Sequence, residues 1–101
     1  MALIDLKFSP DMAEAVLDGR KCCTSRSERK GAPGDEFEIE GVRFRIVDVK
    51  EEVLAHIGND WYRLEGVDSP EAFERLWRSL HRGHYSLMRY YFVHFFARCP
   101  A

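Results

Sequence analysis

Residues 36–49 read EFEIEGVRFRIVDV. Phe37 and Ile39 alternate with acids, Val42, Phe44 and Ile46 alternate with arginines and other polar positions, and Gly41 stands between the two runs. Alternation on either side of a glycine is the pattern of a β-hairpin with one buried face. It breaks at Ile46-Val47, where two apolar residues adjoin, and a β-bulge there would curve the sheet. The hairpin acids alternate outward and are expected in solvent.

Working outward, Ser27–Gly34 carries Gly31, Pro33 and Gly34 and reads as a loop. Residues 22–26 before it read as a short strand. Earlier still, Ser9-Pro10-Asp11 is a helix start, with a capping serine, proline at the first helical position and an acid in the first turn. Met12, Ala15 and Val16 give that helix an apolar stripe, and Gly19 is its stop. Beyond the hairpin, NDWYRLEG (59–66) reads as a short helix from Asn59 to Gly66. SPEAFERLWRSLHRG (69–83) repeats the Ser-Pro-acid start, and Phe73, Leu76, Trp77 and Leu80 place apolar residues on one helical face. The final apolar and aromatic run, Met88–Ala97, reads as a central strand covered on both faces.

The expected order is strand, helix, strand, hairpin, helix, helix, strand. This is an α+β domain, a small curved, barrel-like sheet with helices packed around it. The sheet should enclose Phe44, Ile46, Phe92 and Val93, with the helix of Phe73 and Trp77 against it. The 101 residues are expected to form one domain, 1–101.

Charge and composition exclude little. The net charge of −2 provides no global attraction to nucleic acid or membrane. Locally, Arg20, Lys21, Arg26, Arg29 and Lys30 face one acid, Glu28, between Gly19 and Lys30. Either a bound anionic or polar ligand or a solvated face accounts for that cluster. Asp5 and Lys7 interrupt any signal-peptide core, and no apolar run approaches the ~20 residues of a membrane span, so the expected location is cytoplasmic. Three cysteines, two of them adjacent, do not suggest a disulfide framework. Cys22-Cys23, His81 and His84 lack zinc-site spacing, so neither a metal nor a cofactor is expected. Oligomeric state is not legible.

GRKCCTSR (19–26) holds the candidate chemistry. A threonine hydroxyl is a nucleophile once a base takes its proton, and a lysine beside other cations is a candidate base. In a strand, residues three apart point to opposite faces. Lys21 therefore reaches Thr24 only from a bend after Gly19. A surface lysine and a strand-forming threonine fit the same spacing. Glu65, just before Gly66, is an acid with no evident structural role. His94 in an apolar strand reads as a satisfied core histidine. Phe8, Trp61, Tyr62 and Tyr85 are aromatics that could stack a base or simply pack.

Gly19-x-Lys21-x-x-Thr24-x-Arg26, Pro33-Gly34-Asp35 opening the hairpin, and Glu65-Gly66 before SPEAFERLW together resemble the ASCH domain family of the PUA-like superfamily, over nearly the whole chain. The resemblance implies a small β-barrel with a cleft and an RNA-related role. One branch of that family comprises small amidohydrolases that deacetylate N4-acetylcytidine. By position, its catalytic residues fall on Lys21, Thr24 and Glu65. Thr24 would attack the amide, Lys21 would take its proton, and Glu65 would orient Lys21 or shuttle a proton. Arg26 would stabilise the oxyanion and Phe8 would contact the substrate. The alternatives are an RNA-binding module without catalysis, using Lys21, Arg26, Arg29 and Lys30, or an ASCH-type ribonuclease. The implied partner is a modified nucleoside or single-stranded RNA, with no membrane.

Overall fold

The hairpin forms where the alternation placed it. The computed structural model describes residues 2–100. In chain order it contains α1 (Pro10–Leu17), β1 (Cys23–Arg26), β2 (Glu36–Ile39), β3 (Val42–Val53), α2 (Leu54–Asp60), α3 (Pro70–Leu80) and β4 (Tyr90–Arg98). Strands β2 and β3 join through Glu40 and Gly41, at φ 50° and 81°. Positive φ at both central residues is the two-residue turn that matches strand twist. Gly41 adopts that conformation without the steric cost that Glu40 bears.

The four strands pair antiparallel in the order β1-β4-β3-β2 and curl into a half-barrel, a small α+β architecture. The register of β3 against β4 slips at the expected bulge, with Ile46 opposite Phe96 and Asp48 opposite Phe95. Val47 is the extra residue, and it is exposed. Strand β4 is central, hydrogen-bonded on both sides and covered on both faces.

Its alternation divides the core in two. His94 and Phe96 face the inside of the curl, where Phe96 packs with Phe37, Phe44, Ile46, Leu6 and Val16. Tyr91 and Val93 face outward against Leu54, Ile57, Phe73 and Trp77. Val93 therefore does not lie with Phe44 and Ile46 as expected, because it is one residue out of phase with Phe96. The expected packing of the Phe73–Trp77 face on the sheet is present. Ser69 caps α3 through its hydroxyl, which accepts from Ala72 N at 3.0 Å. Ser9 stands at the equivalent position of α1, but its side chain makes no such bond.

Three local expectations differ. The first apolar stretch is not a strand; it contributes one parallel bridge, Leu3 to Glu36. The helix expected over 59–66 lies earlier, at Leu54–Asp60, because Leu54 and Ile57 are buried against Tyr91 and Val93 of the sheet and Gly58 lies against Phe73 and Tyr85. Residues 61–66 form turns instead, with Glu65 N donating to Trp61 O and Gly66 N to Arg63 O. Finally, Glu36 is buried rather than solvated. Arg43 and Arg45 clasp its carboxylate at 2.8 and 2.7 Å, and these two bonds hold its pKa below the usual carboxylate range. Among the described residues, no helix is long and apolar enough to cross a membrane.

Candidate functional site

Gly19 ends α1 at φ 87°, and the chain then bends before β1 begins. Lys21 sits in that bend, its backbone N–H donating to Ala15 O at 3.0 Å. It forms an antiparallel bridge with Glu65. That pairing requires close approach by the neighbouring backbone. Gly66 is at φ 94°, and a Cβ there would lie 3.0 Å from Lys21 Cβ. Glycine is thus demanded twice, by conformation and by space.

The bridge brings two opposite charges together out of water. Lys21 Nζ donates to Glu65 Oε1 at 2.8 Å and to Glu65 O at 3.2 Å. Lys21 and Glu65 are only 5% and 4% exposed. Ser25 donates its hydroxyl to the other carboxylate oxygen, Oε2, at 2.6 Å. Both oxygens of Glu65 are therefore occupied and its plane is fixed. Burying two charges costs several kcal/mol per ion before their attraction is counted. A fold of this size needs a reason to carry such a pair.

Thr24 is buried beside them, and its Oγ1 accepts from Arg26 Nε at 3.1 Å. Arg26 also donates to Lys7 O at 2.6 Å and lies 5.1 Å over the Phe8 ring. Burial pulls the Arg26 guanidinium below its ordinary pKa, an effect that the Glu65 charge opposes. Phe8 packs on Phe37 and Phe96 at 5.8 and 6.3 Å, so it belongs partly to the core. No hydrogen bond joins Lys21 to Thr24 among the described residues. Strand alternation explains this: Lys21, Cys23 and Ser25 are in one phase, and Thr24 and Arg26 in the other. Lys21 and Ser25 of the first set and Thr24 and Arg26 of the second still border one cavity of about 260 Å³, together with Glu65 and Phe8. We attribute this to β1 being the edge strand, around which side chains from both faces can reach the same space. The opposite wall comes from α3, through Phe73, Leu76, Trp77 and Leu80.

His94 anchors the site from below. It is fully buried. Nδ1 lies 3.3 Å from Thr24 O, and Nε2 accepts from Lys30 N at 3.0 Å. An acceptor Nε2 requires the neutral ring, with the proton on Nδ1. Burial is the main cause lowering its pKa below 6.5. His94 thereby ties Thr24 to the basic loop that follows β1. Cys23 is a packing residue: burial, then the neighbouring Glu65 charge, pushes its thiol far above the ordinary value. Arg29 donates to Gly31 O, and Lys30 pairs with Glu28 at 3.8 Å; neither borders the cavity.

Ser25, Trp77 and the ring of His81 also border this cavity and were not among the sequence candidates. The phase of the strand was the available signal for Ser25, because it follows Lys21 and Cys23 at intervals of two. Nothing in the sequence alone turns the Trp77 face toward Thr24.

The arrangement offers a hydroxyl held by a guanidinium, a buried ammonium–carboxylate pair, and an apolar wall. These are the parts of an acyl-transfer site. They also suit a closed site that only binds a polar, planar ligand.

No family model matches the chain, and no curated protein does. Its structure is similar to that of an ASCH domain from Lactobacillus crispatus JV V101, at TM-score 0.68 and 14% identity, covering 96% of this chain and 79% of that one. It is also similar to a DUF984 protein from Enterococcus faecalis V583, at TM-score 0.61 and 15% identity, covering 97% of this chain and 75% of that one. The ASCH-like fold inferred from the motifs is the fold the chain adopts.

Proposed function

We propose that this ASCH-like domain is a hydrolase that removes the acyl group from an acylated nucleoside such as N4-acetylcytidine. The observation that carries the reading is the buried Lys21–Glu65 pair at 2.8 Å, bordering the same cavity as the Thr24 hydroxyl and Arg26. Ion pairs buried this completely are weak sources of stability. Their retention beside a nucleophile is best explained by chemistry.

With substrate excluding water from the cavity, the Lys21 ammonium passes a proton to Glu65, leaving a neutral amine. Thr24 Oγ forms a bond to the amide carbonyl carbon, and its proton moves to Lys21. Arg26, which donates to Thr24 Oγ1, would stabilise the negative charge that develops on the amide oxygen. The intermediate collapses with cleavage of the C–N bond, and Glu65 protonates the departing exocyclic nitrogen. The proton transfer within the pair then repeats. Water gives a proton to Lys21 and its oxygen to the acyl carbon, and Glu65 reprotonates Thr24 as the carboxylic acid leaves. Ser25 is a positioning residue in this scheme, since its bond to Oε2 keeps Oε1 directed at Lys21.

One observation favours a second reading. The Thr24 hydroxyl is held by Arg26 rather than by Lys21, which suits a module that binds a base or single-stranded RNA without chemistry. The test offers N4-acetylcytidine and a single-stranded RNA separately to purified protein. Release of cytidine and acetate supports the hydrolase. Binding of either ligand with no product supports the module, and cut RNA supports a ribonuclease.

A further inference from the structure

A second hollow, of about 420 Å³, lies beyond the C-terminal end of α3, and it shares Trp77, Leu80 and His81 with the candidate site. The rest of its lining is polar and basic, including Arg82, His84 and Arg89, with no carboxylate. Neither arginine is in an ion pair among the described residues. Two of the groups are held in place. The Arg89 guanidinium lies 5.2 Å over the Tyr91 ring. The His81 ring stacks on Trp77 at 4.2 Å and an interplanar angle of 13°, and its Nδ1 is 2.9 Å from Trp77 O. Because the carbonyl only accepts, Nδ1–H is the donor in that bond, which fixes the ring at the edge of the groove.

The opposite rim of the candidate site has cations too, but they are engaged. Lys7 pairs with Asp5 at 3.8 Å, and Arg26 bonds to Thr24 and Lys7 O. The carbonyl end of α3 carries a partial negative charge of about one half, which opposes an anion. The two full charges of Arg82 and Arg89 outweigh it.

We infer that this groove is an anion subsite that takes a phosphate of the ligand whose base enters the neighbouring cavity, so that the preferred substrate is a phosphorylated nucleoside or a strand containing it. The inference rests on the base-binding reading of the first cavity and names the chemistry next to it. The phosphate accepts from the Arg82 and Arg89 guanidiniums, which suit phosphate geometry, while His81 and Trp77 form the lip between the two hollows.

Calorimetric titration of the intact protein with cytidine, cytidine 5′-monophosphate, cytidine 3′-monophosphate and the trinucleotide ApCpA tests this. At low salt at least one phosphorylated ligand should bind about tenfold or more tightly than cytidine, as charge-assisted hydrogen bonds imply. The gap should shrink as salt rises and disappear in Arg82→Ala/Arg89→Ala, both of which are exposed positions. The tighter of monophosphate and trinucleotide identifies a free nucleotide or a strand as the source. Equal binding of cytidine and all phosphorylated ligands overturns the subsite, as does a phosphate preference that survives the double substitution. Turnover of N4-acetylcytidine is scored separately. Turnover without phosphate preference removes the subsite and leaves the hydrolase. Phosphate preference without turnover keeps the subsite and removes the hydrolase.

Discussion

If Lys21 and Glu65 are retained for chemistry, removing both should leave a folded, inactive protein. The Lys21 ammonium makes its two hydrogen bonds to Glu65 alone, and each residue is about 95% or more buried. In Glu65→Leu the ammonium keeps only a backbone carbonyl, and in Lys21→Met the carboxylate keeps only Ser25. Breaking a buried pair on one side costs about 3–5 kcal/mol. At roughly 4–8 °C per kcal/mol for a domain of this size, each single variant should lose more than about 12 °C in Tm. Lys21→Met/Glu65→Leu removes both charges and fills the volume with apolar atoms. Such replacements range from neutral to about 1–4 kcal/mol stabilising. The double variant should therefore melt near or above the wild type while releasing no cytidine from N4-acetylcytidine. Thermal and urea unfolding of the four proteins, at one pH and salt, provide the cycle. Additive losses in the double variant would instead make the pair part of the scaffold and remove its retention for chemistry. Singles within about 0.5 kcal/mol of wild type would refute the burial argument itself.

Thr24→Val should abolish turnover while ligand affinity changes little; it also takes the acceptor from the Arg26 guanidinium, so stability should fall by up to about 1.5–3 kcal/mol, the range for a bond to a charged group, and steady-state kinetics with calorimetry and melting separates the effects. Ser25→Ala should lower kcat with KM little changed and shift the pH–rate profile, because it loosens Glu65 without touching substrate; an unchanged profile leaves Ser25 a packing residue. Gly66→Ala adds a Cβ 3.0 Å from Lys21 Cβ at φ 94°, so both stability and turnover should fall, and Tm reports the first directly. His94 has a folded-state pKa below 6.5, so the unfolded chain takes up the proton first. Stability should be complete above about pH 6.5, decline as the pH falls through the folded pKa, and level off below it. Urea midpoints measured across that range should show this limb, and His94→Phe should flatten it.

Much of the fold was legible because its signals are local. The 36–49 alternation gave the hairpin, the adjoining Ile46-Val47 gave the bulge, and Ser69-Pro70 with the Phe73–Trp77 spacing gave α3. Helix α2 was displaced because its sequence has no capping residue before it, and only tertiary burial of Leu54 and Ile57 selects that window. Glu36 was misread because outward alternation does not reveal two arginines closing over a carboxylate. At the site, the bend after Gly19 made Lys21 a sensible candidate. The meeting of Lys21 with Glu65, 44 residues away, came only through resemblance to a family. The Thr24–Arg26 bond follows from strand phase, whereas the α3 wall and the groove beyond it depend on how the helix docks.

In the proposed mechanism Thr24 carries the acyl group. Acid quenching of the wild-type protein during turnover of N4-acetylcytidine, followed by proteolysis and tandem mass spectrometry, locates any covalent acyl group. One acetyl group is expected on Thr24, absent from Thr24→Val. Acetyl on Ser25 or Lys21 instead, or sustained turnover by Thr24→Val, would contradict it.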